Sequence, residues 1–184
     1  MSWEIEQELK NIRSAERGYY SYPFGTRRTM VVCYANTYEV AMSNLGFQIV
    51  YDIVNKRNDW QCERAFLPDG KLAGLYEKSN TPLLTVENAR PVRDFEVVGI
   101  SVNFEMDYFH VPELLARSRI TVLASERGED EPLVVMGGPV AFFNPEPLTP
   151  FIDVCIVGEG ETTIPDFLDC LNECKERGYT RKET

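Results

Sequence analysis

Four short segments hold the residues best suited to contact a ligand, because each one follows an apolar run. Residues 137–139 and 158–161 are rich in glycine, which lets a ligand approach the backbone closely. Residues 36–38 and 103–105 offer amide, hydroxyl and carboxylate groups. Glycines that only form tight turns would give the same spacing. The pattern therefore leaves open whether these glycines bind a ligand or only shape turns. The candidate binding residues are Asn36, Thr37, Tyr38, Asn103, Phe104, Glu105, Gly137, Gly138, Pro139, Gly158, Glu159, Gly160 and Glu161.

Side chains that catalyse reactions or bind metals are scarce. The single histidine, His110, lacks partners at the spacing of a metal site, and we interpret it as a residue at a helix end. Cys170 and Cys174 look like the start of a cluster motif, but an iron–sulfur cluster normally takes three or four thiolates and no third cysteine follows. We therefore predict core or partly exposed thiols, no metal site and no catalytic residue in this chain.

Phosphate-binding motifs are missing as well. The sequence has no G-x-x-x-x-G-K-[ST] loop and no G-x-G-x-x-G after the first predicted strand. The glycines of residues 158–161 follow the last predicted strand instead, and the carboxylates between them would repel a pyrophosphate. A free-standing enzyme acting on a nucleotide is therefore the weakest hypothesis.

Five short runs predict the strands that position the four segments, and the first of them is rich in β-branched residues. These runs span residues 29–34, 61–67, 95–102, 133–136 and 154–157. Helical patterns alternate with them, which implies crossover connections and a parallel sheet. We predict an α/β fold, a Rossmann-like doubly wound parallel sheet of about five strands with helices on both faces. Ligands of such sheets bind outside the carboxyl ends of the strands, and this rule selects the same four segments.

Capping residues delimit the predicted helices. Ser2 is the expected N-cap of the first helix, Asn36 and Glu39 form a capping box for the second, and Thr162 caps the closing helix. The predicted helices cover residues 1–17, 36–55, 72–78, 108–117 and 162–177, with an extended piece at 82–86.

The composition describes an acidic globular protein. Its 184 residues include 19 Lys and Arg against 29 Asp and Glu, which gives a formal charge of −10 and a pI near 4.7. Nucleic-acid binding requires clustered cations, so we expect no nucleic-acid partner. No apolar run approaches the roughly 18 residues of a membrane span, so we expect no membrane association. The acidic N-terminus is unlike a signal peptide, and the five cysteines fit reduced thiols of a cytoplasmic protein.

The chain divides into two predicted regions. Residues 1–28 form an N-terminal helix with an aromatic arm, and residues 29–184 form the α/β domain. The side chains of the arm either pack the helix onto the domain, which we favour, or dock a partner. They are Tyr19, Tyr20, Tyr22 and Phe24, beside Arg27 and Arg28.

Several segments, in their order along the chain, resemble the N-terminal region of radical SAM proteins that carry a cobalamin-binding-like domain before a catalytic barrel. The resemblance covers roughly residues 15–170 and is to the Fe–S oxidoreductase-like branch, whose function is uncharacterised. Its most specific part is the run FIDVCIVGEGE at residues 151–161. The other segments are NTYEVAMSNLGFQ at 36–48, CERAFLP at 62–68, GGP at 137–139 and NPEPL at 144–148.

The resemblance implies a Rossmann-like domain that holds cobalamin against the barrel, where a 4Fe-4S cluster cleaves S-adenosylmethionine. The four candidate segments would then face the corrin or the barrel. This chain departs from the pattern at residues 35–38, where cobalt-ligating domains place the histidine of D-x-H-x-x-G, so any cobalamin would bind without a protein imidazole. The motif C-x-x-x-C-x-x-C is also absent. The cluster and S-adenosylmethionine are therefore expected only in a barrel outside this chain, which we expect to be a fragment of a longer protein.

Two main hypotheses follow from the residues and the resemblance. In the first, the chain is a cofactor-binding module that positions a corrinoid against a catalytic barrel. In the alternative, it keeps the fold without a cofactor and is an interaction module that packs on the radical SAM barrel and covers its opening. Detection of a bound corrinoid discriminates between them.

Overall fold

The computed structural model describes residues 3–23, 25–181 and 183–184. Its strands are β1 (Arg28–Tyr34), β2 (Trp60–Phe66), β3 (Val97–Ser101), β4 (Leu133–Gly137) and β5 (Val154–Cys155). They form one five-stranded sheet in the order β2-β1-β3-β4-β5, and every pairing is parallel. Strands β1 to β4 are largely buried because helices cover both faces, which explains the β-branched, apolar sequences of β1, β3 and β4. Strand β2 is equally buried but includes Gln61, Glu63 and Arg64. The predicted doubly wound α/β fold is confirmed.

Seven α-helices flank the sheet in the described part of the chain. They are α1 (Trp3–Ala15), α2 (Tyr38–Met42), α3 (Leu45–Lys56), α4 (Gly70–Ser79), α5 (His110–Arg117), α6 (Pro139–Phe143) and α7 (Gly160–Glu176). None of them is long and apolar enough to cross a membrane. The predicted N-cap Ser2 and the arm residue Phe24 lie outside the described residues.

The order of the strands fixes where a ligand can bind. The chain passes from β1 to β2 in one direction and then crosses back to β3 on the other side of β1. Right-handed crossovers consequently place α3 on one face and α4 and α5 on the other. Helix α7 packs against α3 and so covers the same face. The strands β1 and β3 stay paired to their carboxyl ends, and the connections that leave them run to opposite faces of the sheet, which is where ligands of such folds bind.

The predicted helix over residues 36–55 is wrong in one respect, because it is two helices. The Oδ1 atom of Asn36 accepts a hydrogen bond from the adjacent amide of Thr37 at 2.8 Å, and Thr37 is the N-cap of α2. The capping box is therefore not formed. The chain leaves the first helix at Ser43, and Asn44 starts α3 by accepting the amide of Phe47 at 2.9 Å. Asparagine is a strong N-cap, and here the second cap overrides the continuous apolar pattern.

Other element boundaries also differ from the prediction. Helix α7 begins at Gly160 with Glu159 as N-cap, so Thr162 lies inside the first turn rather than capping it. Strand β5 ends at Cys155, because the chain turns toward the glycine loop earlier than its apolar residues indicate. A 3₁₀ turn, Glu105–Phe109, precedes α5 where a helix was predicted from residue 108. The extended piece is an isolated bridge between Leu84 and Pro91.

The aromatic arm contacts the domain through α3. The hydroxyl of Tyr20 donates to Asp52 at 2.8 Å, and that of Tyr22 donates to the carbonyl of Asn55 at 3.1 Å. The guanidinium of Arg27 lies 3.9 Å from the ring centroid of Tyr22. These contacts are those expected if the arm packs the N-terminal region onto the domain.

Candidate functional site

A cavity of about 680 Å³ opens at the carboxyl edge of the sheet, between the sheet face and helices α3 and α7. This volume lies within the range of roughly 300–1,000 Å³ that small-molecule sites occupy. Its wall is mainly aliphatic, with side chains from β1, β4, α3 and α7. The apolar lining residues are Met30, Val32, Ile49, Val50, Ile100, Val135, Pro139, Phe142, Phe143, Ile156 and Ile164.

A glycine in the middle of β3 lines the cavity and makes room for the side chain of Met30. Gly99 pairs with Val32 on one side and Val135 on the other, and all three line the cavity. A Cβ atom at Gly99 would lie 2.5 Å from the Cε atom of Met30, so any larger residue would push Met30 into the open space. The sequence analysis did not select Gly99. Its signal was an isolated glycine within the apolar run of residues 97–100, which commonly marks a close approach in a strand.

The glycine loops after β4 and β5 border the cavity mouth in different ways. Gly137 faces open space, because a Cβ atom there would meet nothing within 4 Å. Gly138 has a φ of +110°, and its Cβ would lie 2.5 Å from the carbonyl oxygen of Val102. Gly158 has a φ of +154°, and its Cβ would lie 2.7 Å from the side chain of Thr163. Gly138 and Gly158 are therefore required by the backbone, whereas Gly137 leaves room for a ligand.

The polar groups at the cavity are few and mostly neutral. Asn103 lines it, and its Nδ2 atom donates to the hydroxyl of Tyr34 at 2.7 Å. Burial raises the pKa of Tyr34, so the phenol stays neutral and acts as acceptor for this amide. Asn44, Ser101 and the carboxylate of Glu161 complete the polar lining. Among the described residues no lysine or arginine lines the cavity, so these residues offer no cation to neutralise a phosphate.

The structure separates the candidate residues into three groups. Seven line the cavity: Asn103, Gly137, Gly138, Pro139, Gly158, Gly160 and Glu161. Phe104, Glu105 and Glu159 are exposed at the same edge without lining it. Asn36, Thr37 and Tyr38 also lie outside the lining.

The residues after β1 have structural partners instead of facing the cavity. The Nδ2 atom of Asn36 donates to the buried carboxylate of Asp107 at 2.9 Å. The hydroxyl of Tyr38 donates to Glu16 at 2.7 Å, and burial together with this contact raises the pKa of Tyr38 to about 12. Both interactions tie the switch-point loop to neighbouring segments.

His110 begins α5, at the helix end where the sequence analysis placed it. Its Nδ1 atom lies 2.8 Å from the carbonyl oxygen of Ala35 and 3.5 Å from the Oδ1 atom of Asp107. The imidazole is therefore anchored across the ends of β1 and β3 and is not part of the cavity lining. Within the described ranges, no group of three or more His, Cys, Asp and Glu side chains is arranged to hold a metal ion. Cys170 is exposed on α7 and Cys174 is half-buried.

A rim of exposed apolar side chains lies along the carboxyl edge of the sheet, and two of its members, Phe142 and Phe143, also line the cavity. Phe104 is 58% exposed after β3, and Phe109 is 77% exposed on the following turn. Phe143, after β4, is 79% exposed. Apolar side chains this exposed at one edge are typical of a surface that binds a ligand or another protein. The complete rim is Leu45, Phe104, Met106, Phe109, Phe142, Phe143 and Val157.

Comparison with known proteins identifies relatives of the chain. Residues 46–184 match the family model described as radical SAM proteins, N-terminal. The chain is also 22% identical over 134 residues to the uncharacterized protein MJ0966 of Methanocaldococcus jannaschii. That match covers 73% of this chain and 24% of the relative, so the matched region spans about a quarter of the relative's length.

Proposed function

The chain belongs to the family of N-terminal domains of radical SAM proteins, and on that premise we propose that it holds a corrinoid at the carboxyl edge of its sheet. The corrinoid would face a radical SAM catalytic domain, which supplies the 4Fe-4S cluster and S-adenosylmethionine. The observation that carries the proposal is the apolar cavity of about 680 Å³ at the carboxyl edge of the sheet, between the sheet face and helices α3 and α7.

The cavity and its rim suit the two chemically different parts of a corrinoid. A corrinoid combines a broad macrocycle with a narrower heterocyclic tail. The aliphatic walls and the open space beside Gly137 leave room for an apolar heterocycle against the sheet. The exposed rim, with Phe104 and Phe109, offers an apolar surface to the macrocycle or to the catalytic domain above it. When bound, the corrinoid supplies a cobalt centre that can carry an alkyl group.

The donor set argues for binding without a protein imidazole. The chain contains one histidine, and the Nδ1 atom of His110 is already held by the carbonyl of Ala35. The segment 35–38 after β1 contributes no histidine either. The chain's own residues would therefore hold a corrinoid by shape and apolar contact, with Asn103 as the nearest neutral hydrogen-bonding group.

The proposal is tested by titrating the purified chain with hydroxocobalamin, followed by gel filtration. We expect the corrinoid to co-elute with the protein and its visible spectrum to lack the signature of imidazole ligation. The Gly137→Val variant, which places a side chain in the open space of the cavity, should lose binding while it stays folded. Absence of co-elution from both the chain alone and the parent protein that contains the catalytic domain would overturn the corrinoid proposal.

The second candidate is the cofactor-free interaction module. It is favoured by the exposed rim and by the lack of a histidine at the cavity, because neither feature requires a corrinoid. In that case the parent protein would retain its apolar rim in contact with the catalytic domain and would contain no corrinoid by absorbance. The same gel-filtration experiment therefore separates the two candidates.

We also propose a reducing, cytoplasmic environment. The five cysteines are all free thiols, and Cys33 and Cys62 are buried among apolar residues. Burial raises the pKa of both thiols well above the usual range, which keeps them protonated and unreactive.

A further inference from the structure

We infer that the carboxyl edge docks a basic protein face, which we assign to the radical SAM catalytic domain; this inference rests on the proposed function. The edge consists of residues 35–46, 102–110, 137–144 and 156–161, which follow β1, β3, β4 and β5. These segments contain no lysine or arginine, although the whole chain has 19. They present apolar and acidic side chains together.

The apolar part of this surface is large for a face without a partner. Seven of the eleven exposed large hydrophobic side chains among the described residues belong to it. Met106, Phe109 and Phe143 are each more than 70% exposed. Interfaces between proteins have an apolar centre enriched in aromatic residues and methionine, with a polar rim. The composition of this edge is that of an interface.

The carboxylates of the edge are not neutralised within the chain. Glu39, Glu105, Glu159 and Glu161 are exposed, and none of them forms an ion pair with another described residue. Because these four segments contain no lysine or arginine, the potentials of their exposed carboxylates add. A partner that covers the edge must therefore bring lysine or arginine side chains, because opposed charges attract and like charges juxtaposed are costly.

Other occupants fit the edge less well. A second copy of the chain, docked through the same face, would bring four more exposed carboxylates to the interface. An anionic membrane surface or a nucleic acid would be repelled for the same reason. A basic protein face with an apolar centre would pair with the exposed carboxylates and cover the exposed apolar side chains of the edge.

The inference is tested by hydrogen–deuterium exchange on the parent protein that contains the catalytic domain and on the 184-residue chain. We expect the segments 102–110 and 137–144 to exchange at least about tenfold more slowly in the parent protein, because the interface must open before exchange. In the parent protein, the double variant Glu105→Lys/Glu159→Lys should exchange faster in these segments by about tenfold. Raising the salt from about 0.05 to 0.5 M should act in the same direction.

The matched control is Glu126→Lys/Asp130→Lys, which changes the net charge equally on an exposed loop at the opposite side of the sheet. It should leave exchange at the carboxyl edge unchanged. Equal exchange in the chain and the parent protein would overturn the docking surface. Equal effects of the two double variants would overturn its dependence on charge. If either negative result is found and the chain still binds a corrinoid, the proposed function stands and only the docking inference fails. If the protection depends on charge but no corrinoid binds, the docking inference stands and the proposed function fails.

Discussion

The amino and carboxyl edges of the sheet differ in how many of their charged side chains have a partner within the chain. At the amino edge, a polar cavity of about 630 Å³ is lined by Arg28, Arg93, Lys175 and Arg181 together with several carboxylates. Most of these charges have partners, such as Glu96, which contacts Arg28 at 3.0 Å and Lys175 at 3.2 Å. At the carboxyl edge, the exposed carboxylates form no ion pair with another described residue, and several aromatic side chains are exposed. The comparison indicates that the amino edge holds the fold together and the carboxyl edge is free to bind.

Asp153 shows how the amino edge holds neighbouring loops. Its Oδ2 atom accepts hydrogen bonds from the Arg127 guanidinium and from the amide of Val134, both at 2.8 Å, and also contacts Arg181. The Arg127 side chain is fully buried, and burial lowers its pKa. One carboxylate therefore joins the start of β4, the preceding loop and the C-terminal segment.

The largest effect is expected from breaking this cluster. Asp153→Asn leaves two arginines without their carboxylate, and we expect the free energy of unfolding to fall by about 3 kcal/mol, because a buried charge loses its partner. Urea denaturation measures the loss, and hydroxocobalamin titration of the folded variant should show unchanged affinity. Weakened corrinoid binding in the folded variant would contradict the separation of the two edges.

The next largest effect is expected at the glycine pair after β4. Gly138→Val combines a positive φ with a contact to the backbone of Val102, and we expect about 1–3 kcal/mol of destabilisation. Gly137→Val meets no atom within 4 Å, so its stability should be close to that of the natural chain while corrinoid binding is lost. Urea denaturation and corrinoid titration of both variants measure the contrast. The assignment of the cavity fails if Gly137→Val binds the corrinoid with unchanged affinity.

The fold was predictable because short strand-like runs, most of them apolar, alternate with helical patterns along the chain. Periodicity could not show that the helix over residues 36–55 breaks at Ser43, because both halves bury apolar side chains at helical spacing. The four candidate loops were predictable because ligands of parallel sheets bind at the carboxyl ends of the strands. That Tyr38 does not line the cavity was not predictable, because its hydroxyl contacts Glu16, which is distant in sequence. Gly99 was missed because its importance depends on the pairing of β3 with β1.

A smaller effect is expected from acid at the amino edge. Hydrogen bonding to Arg57 holds the pKa of Asp59 at about 2, below the 3.8 of the unfolded chain. A depressed pKa contributes stability above pH 3.8, and that contribution is lost as the pH falls toward 2. Because Asp59 is largely exposed, we expect less than about 1 kcal/mol. Urea denaturation between these pH values should show a shallower loss in Asp59→Asn; an identical slope would exclude this pair as a source of acid sensitivity.

The smallest effect is expected from Lys175→Ala. Lys175 is 62% exposed and contacts Glu96, which Arg28 also neutralises. Its removal should change the free energy of unfolding by less than about 0.5 kcal/mol and leave corrinoid affinity unchanged. Thermal denaturation with and without the corrinoid measures both. A large loss of affinity would assign the ligand to the polar cavity at the amino edge.

The most direct test of the central claim is an amide NMR titration of the ¹⁵N-labelled chain with hydroxocobalamin. We expect the amide signals of Gly99, Gly137, Gly158 and Gly160 to shift, while those of residues beside the polar cavity, such as Glu96 and Lys175, stay unchanged. Shifts confined to the amino edge, or no shift at the glycine loops, would contradict the assignment of binding to the carboxyl edge.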